Sequence, residues 1–283
     1  MKQFVTVLAA VMLLSISAFA ADYVKVGNVN DDISVIVRES NDSRIVVDYQ
    51  IGGFTQEGVQ INGETYYQIQ CGEENEPLIA GVPALPRICR SIIIPDNGEM
   101  RVNIISSEYV DYPATPVIPS KGPISRTINK ADVPYEFGDV YNNSEFYPSN
   151  VAELREPFII RDFRGTVIEF NGFQYNPDTR TLRVYKSVTI EVVNTGLAGA
   201  NELQRTEALN SVVPDFDLIY KSRFINYPET MTTYTLVPET GEMLIITYDS
   251  YYNNMLPFAE WKNQKGIKTT MVNVSSIGNN ESS

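Results

Sequence analysis

Leu182-Arg183-Val184-Tyr185-Lys186-Ser187-Val188-Thr189-Ile190-Glu191-Val192-Val193 decides the fold class of this chain. Leu182, Val184, Val188, Ile190 and Val192 share one parity, and Arg183, Tyr185, Ser187, Thr189 and Glu191 share the other. Successive side chains of a strand point to opposite faces, so the stretch predicts a strand with one buried side. Lys186 interrupts the apolar face, which places one end of the strand near solvent. Asn176-Pro177-Asp178-Thr179 supplies turn chemistry just before it, and residues 167–175 are expected as the first arm of this hairpin.

The same alternation extends outward over residues 23–193, where Tyr, Val, Ile and Thr recur between turn residues. Asn62-Gly63 separates residues 53–61 from 64–70 and favours the turn type that matches strand twist. The fold class predicted for residues 21–194 is therefore mainly β, antiparallel and sandwich-like. Pro77, Pro83, Pro86 and Pro95 punctuate a short apolar strand around Ile92 and Ile94. Pro113, Pro116, Pro119, Pro123, Pro134 and Pro148 then remove backbone donors from a passage of little periodicity. Residues 111–157 are expected to run extended over the surface, and loops of that length are commonly functional.

The character changes after Asn194. Residues 195–233 are small, polar and aperiodic, and are expected to form a connection. Residues 243–248 form a continuous apolar run, as in a strand covered on both faces. Asp249-Ser250 offers a helix N-cap, Met255, Phe258, Ala259 and Lys262 fall at helical spacing, and Gly266 is a C-cap. Pro257 belongs in a first turn, which puts the start of the regular helix near Asn254. Residues 267–274 supply a second strand, so 234–283 predict a parallel strand-helix-strand unit with a right-handed crossover. Such a unit cannot close a core alone and is expected to be the opening of a larger α/β domain.

At the other end, Lys2, the apolar residues 4–16 and Ala18-Phe19-Ala20 form a secretory leader, with residues 1–20 removed on export. The apolar run is shorter than the ~20 residues that span a bilayer, and no other segment is longer, so no membrane insertion is expected after leader removal. The expected location is periplasmic or extracellular. The formal net charge is −13; losing Lys2 leaves 21 basic against 35 acidic residues, or −14. That charge repels phosphate backbones, and no nucleic-acid partner is expected.

The chain contains no histidine. A dyad or triad that uses imidazole as its proton acceptor cannot be assembled from these residues, and the commonest transition-metal ligand is absent. Cys71 and Cys89 are the only cysteines, present either as one disulfide or as two free buried thiols. Asp31-Asp32, Asp249 and the Glu73-Glu74-Asn75-Glu76 run fit turn and capping roles better than a calcium loop. No cofactor is assigned. Trp261 is read as a packing residue. The four Asn-x-Ser sequons at Asn41, Asn142, Asn273 and Asn280 carry no assignment.

Residues 243–247 followed by Leu256-Pro257-Phe258-Ala259-Glu260-Trp261-Lys262-Asn263-Gln264-Lys265-Gly266 resemble the first strand and helix of the gingipain-type cysteine peptidases, secreted bacterial proteases. Gly81-Val82-Pro83-Ala84-Leu85-Pro86, residues 92–95, residues 170–177 and Leu182-Arg183-Val184-Tyr185 resemble the propeptide of the same family. The resemblance implies an N-terminal prodomain over about 21–233 that folds with the enzyme and keeps it latent, with the mature enzyme starting near Tyr234. The implied partner is the cognate catalytic domain of the same precursor. No catalytic residue carries over, because the family's catalytic His and Cys lie further downstream. Where Arg-specific members are cut after a basic residue, Thr233 stands here; Arg223 and Lys221 are the nearest basic alternatives.

A prodomain of this kind would inhibit by laying an extended segment across the cleft with one side chain in the specificity pocket. Lys121, Arg126, Lys130 and Arg155 are the basic candidates in the Pro-rich passage, with Arg126, between Ser125 and Thr127, the first choice. The competing class is a free-standing exported β-module that binds a protease or a surface ligand. A hydrolase working through paired carboxylates finds no acid pair in a recognisable context.

Overall fold

The computed structural model describes residues 21–227, 235–236 and 241–278. The leader, Thr233 and Tyr234 lie outside these residues. In chain order the strands begin with β1 (Asp22–Lys25), β2 (Ile33–Ser40), β3 (Arg44–Ile51), β4 (Gly53–Ile61) and β5 (Glu64–Gln70). There follow β6 (Ile88–Ile93), β7 (Met100–Tyr112), β8 (Ala152–Leu154), β9 (Phe158–Ile160) and β10 (Phe163–Phe170). Next come β11 (Phe173–Asn176), β12 (Thr181–Asn194), β13 (Ser211–Val212) and helix α1 (Pro214–Arg223). The described chain ends with β14 (Thr235–Leu236), β15 (Met243–Thr247), α2 (Tyr252–Gln264), β16 (Thr269–Asn273) and α3 (Val274–Ile277).

Among the described residues, 21–206 with Ser222–Tyr227 form one compact unit, and Glu207–Lys221 with 235–236 and 241–278 form another. The first unit is mainly β with antiparallel sheets, as its alternation predicts. β12 is its central strand. β7 runs along one edge of β12, while β11 and β3 follow each other along the opposite edge, with β2 outside β3. β6, β8 and β9 pair with β10, and β1-β4-β5 make a third sheet. One apolar cluster draws on all three sheets, including Val47, Tyr49 and Ile51 of β3, Phe54 of β4, Ile88 and Ile92 of β6 and Ile168 of β10. Leu182, Val184, Val188, Ile190 and Val192, the face read from sequence, are all buried in it.

Asn62 and Gly63 adopt φ of 53° and 85° between β4 and β5, the left-handed pair that this hairpin turn requires. The second hairpin is corrected. Its first arm breaks at Asn171-Gly172: β10 belongs to another sheet, and only β11 returns onto β12. Asn171 donates from its side chain to the Asn150 carbonyl, 2.9 Å, and from its backbone to Val151, 2.9 Å, which turns the chain between sheets. Lys186 does not mark a strand end. It sits in a bulge, unpaired with β7, and its ammonium meets Glu108 at 2.5 Å.

The Pro-rich passage is also corrected. Thr115, Val117, Ile118 and Ser120 are buried, and the passage threads between two other segments. Tyr67 N–H donates to Pro116 C=O (2.7 Å), Ile118 N–H to Tyr67 C=O (3.0 Å) and Ser120 N–H to Val82 C=O (2.7 Å). The prolines alternate with the donating residues, so the missing N–H groups fall where no bond is needed.

Residues 195–206 and 222–227 are folded structure, where the sequence predicted a connection. Leu203 N–H donates to Asp96 C=O at 2.7 Å, and the Glu202 carboxylate accepts from Gly98 and Gly199 N–H, both at 2.9 Å. Those two bonds hold the Glu202 carboxyl below its usual range.

In the second unit β15 and β16 pair in parallel around α2, as predicted. Met243 and Ile245 are half-buried, whereas Leu244 and Ile246 are 60% and 55% exposed, so among the described residues β15 is not covered on both faces. α2 starts at Tyr252, two residues before the predicted start, because a 3-10 turn over Asp249–Tyr251 leads into it. Asp249 does not cap α2; its carboxylate accepts from Ser275 N–H at 3.3 Å. Gly266 follows α2 with φ of 83°, the expected C-cap geometry. No helix among the described residues is long and apolar enough to cross a membrane.

Candidate functional site

The exposed part of the Pro-rich passage leaves the buried strand-like run at Ser120. The Ser120 hydroxyl donates to Pro77 C=O (3.2 Å) and accepts from Gly122 N–H (3.2 Å). Lys121 then closes the neck of a loop. Its ammonium donates to Lys130 C=O at 2.8 Å and lies 4.2 Å from the Tyr135 ring centre. Burial, and secondarily the charge of Lys130, lower the pKa of Lys121. On the returning side Asn129 caps a short 3-10 turn, its side chain accepting from Ala131 N–H at 3.1 Å.

Between these anchors stands a tight turn. Ile128 N–H donates to Ser125 C=O at 3.0 Å, and the Ser125 and Thr127 hydroxyls are 3.0 Å apart. Arg126 occupies the second position of that turn, exposed, and makes no hydrogen bond or ion pair among the described residues. Three of the four basic candidates thus belong to one loop: Lys121 and the Lys130 carbonyl tie its base, and Arg126 crowns it. Arg155 stands apart. Its Nε meets Glu169 at 2.9 Å, beside Arg87 on the other oxygen of the same carboxylate at 2.5 Å.

An apolar rim adjoins the loop that the sequence did not single out. Gly81 N–H donates to Ser120 C=O, and Gly138 N–H to Gly81 C=O, both at 2.9 Å. A Cβ at Gly138 would lie 2.9 Å from the Gly81 oxygen, so two glycines bring these backbones together. Leu78 and Ile79 precede this contact in the chain and Phe137 adjoins it at Gly138; these three, and Ile128 of the loop, are exposed. The signal available in sequence was only an apolar pair between prolines and glycines.

The remaining candidates separate. Cys71 and Cys89 are free thiols, so the disulfide alternative is not the one present. Cys71 faces the Gly53 and Asp32 carbonyls, while Cys89, on β6, lies 3.7 Å from an Arg155 nitrogen. Burial pushes the Cys71 thiol up to about 12. Asp31, Asp32, Glu73 and Glu74 line one open cavity of about 550 Å³, where Arg90 meets Glu74 at 2.6 Å. Among the described residues no three His, Cys, Asp or Glu side chains form a metal-holding group. Trp261 packs beside Phe258, with Lys262 and Lys265 over its ring at 4.8 and 4.9 Å. Lys221 is paired with Asp217 at 2.7 Å, and Arg223 is exposed at the end of α1.

Residues 26–233 match the model of the Propeptide_C25 family. Gingipain R2 of Porphyromonas gingivalis is 39% identical over 189 residues, which cover 67% of this chain and 25% of that protein. Gingipain R1 of the same organism is 36% identical over 189 residues, 19% of its length. The chain thus spans about a quarter or less of these relatives. Among solved structures, the complex of Porphyromonas gingivalis RgpB pro- and mature domains aligns with TM-score 0.63 and 34% identity, over 69% of this chain and 98% of that one. A structure addressing zymogenic latency of gingipain K from the same organism shares the fold, at TM-score 0.53 and 16% identity. The chain belongs to the Propeptide_C25 family, the propeptides of gingipain-type cysteine peptidases.

Proposed function

We propose that the β-rich unit keeps a gingipain-type cysteine peptidase latent by presenting residues 122–129 to its active cleft, with Arg126 in the specificity pocket. The observation that carries this reading is a single exposed guanidinium, without a partner among the described residues, on a loop whose neck is pinned by Lys121 and Lys130. A pinned loop loses little conformational freedom on binding, and an unpaired Arg needs no intramolecular bond broken before it docks. Leu78, Ile79, Ile128 and Phe137 would surround the docked loop with apolar contact. The partner is the cognate catalytic domain, carried in the same precursor, and the leader directs that precursor out of the cytoplasm. With no histidine, this chain supplies no imidazole for peptide hydrolysis, and its role is binding and assisting the folding of the enzyme.

The test adds the 21–283 chain to the mature cognate peptidase and measures inhibition with a peptide substrate. Removing one partner of a buried charge contact costs about 2–5 kcal/mol, so Arg126→Ala is expected to raise the inhibition constant at least about 30-fold. Arg155→Ala is expected to leave it within about threefold, since that guanidinium is engaged with Glu169. An Arg126→Ala constant equal to that of the unaltered chain removes Arg126 from the mechanism.

A further inference from the structure

Segment Ser222–Tyr227 returns to the first unit after an excursion of fifteen residues, Glu207–Lys221, that belongs to the second. It lies along β6, whose other edge is occupied by β10. Phe224 forms a parallel bridge with Ser91, and Ile225 N–H donates to Ser91 C=O at 3.0 Å. The Asn226 side chain extends the pairing: its oxygen accepts from Ile93 N–H at 2.7 Å, and its nitrogen donates to Ile93 C=O at 2.9 Å and to Ser40 Oγ at 3.0 Å. An amide side chain here does what the next strand residue would do, and the β6 edge is closed.

The aromatic residues lock the same segment. The Phe224 ring is 3% exposed and stacks on Phe158 with centroids 6.1 Å apart. A Cβ at Gly165 would come within 2.6 Å of that ring, so the glycine makes its slot. Tyr227, 5% exposed, packs edge-on against Phe163 at 5.6 Å. The bond after Arg223 therefore joins an exposed residue to a buried one.

Proteases bind several residues on each side of the scissile bond in extended form, which requires an exposed chain that can leave its surroundings. We infer that Ser222–Tyr227 is a clasp integral to the propeptide, and that it closes the Arg223–Phe224 bond to proteolysis, so that separation of the two units leaves Phe224–Tyr227 with the first. Arg223, the basic residue nearest the junction, is then not the processing site. The inference does not depend on whether the Arg126 loop inhibits, and neither result decides the other.

Limited digestion of the folded 21–283 chain with trypsin, read by mass spectrometry of new N-termini, tests it. The Arg126–Thr127 bond, in an exposed turn, is expected to be cut while Phe224 stays absent as a new N-terminus. Asn226→Ala removes three hydrogen bonds, and the cut after Arg223 is expected to accelerate roughly tenfold or more as the open population rises. Hydrogen exchange at the Ile225 amide of the unaltered chain gives a second readout that survives failure of the variant to fold. Protection comparable to the β6 amides supports the clasp. Exchange at the unfolded-chain rate, or a Phe224 N-terminus appearing as early as Thr127, overturns it.

Discussion

Arg164 shows what one residue can hide from its neighbours in sequence. It is fully buried on β10. One terminal nitrogen donates to the Pro95 and Gly98 carbonyls at 2.9 and 3.0 Å, and the other to Ala200 C=O at 2.7 Å. Its partners come from two turns remote in the chain, so Phe163-Arg164-Gly165 read alone gives no sign of the role. Truncation leaves the buried Gly98 carbonyl and the less buried Pro95 and Ala200 carbonyls short of a donor. Arg164→Ala is expected to destabilise the propeptide by about 2–4 kcal/mol in urea unfolding. Arg126 is the opposite case: it stands in a turn closed within a few residues, exposed between two hydroxyl residues, with no hydrogen bond or ion pair among the described residues. That Lys121 ties the loop's neck was not legible in the sequence, since the Lys130 carbonyl and the Tyr135 ring are brought there only by the returning chain.

At the scale of elements, short-range signals held and pairing partners did not follow from them. The Asn62-Gly63 hairpin and the alternating face of β12 were legible because both are set within a few residues. β7 carries no sustained alternation: most of its thirteen residues are exposed, only Met100, Val102 and Tyr112 near its ends pack against the core, and β12 supplies its bonds. The strand-helix-strand order of the second unit was legible, but the helix start was not, since Pro257 lies in its second turn. Two paired strands with Leu244 and Ile246 largely exposed give little protection against local opening. Hydrogen exchange on the 21–283 chain is expected to show β15 and β16 amides exchanging at least about 100-fold faster than those of β3 and β12. Equal protection would show that the small parallel sheet is as stable as the central one.

Across the whole molecule, burial of ionisable groups sets an alkaline limit on stability. Cys71 is held up to about 12 from 9.0, and Tyr175 up to about 12 from 10.0, both mainly by burial. Well below pH 9 folded and unfolded chains alike keep these protons. As pH rises the unfolded chain ionises first, the folded state binds more protons, and stability falls until the folded groups titrate. Cys71 alone is expected to remove about 1 kcal/mol between pH 8 and 10, and Cys71→Ala to flatten that part of the profile in urea midpoints. An unchanged slope would place the alkaline loss in other groups.

The amino-acid sequence by itself determined that this chain is a β-rich module followed by a parallel strand-helix-strand unit, and that it contains no histidine. Periodicity, turn residues and composition are local or additive properties, so no coordinates are needed to read them. Which strand neighbours which, the burial of Thr115–Ser120, the free thiols and the Ser222–Tyr227 clasp were decided only by tertiary structure. Each of these joins groups tens of residues or more apart, and a contact between two chain segments is a property of neither segment alone.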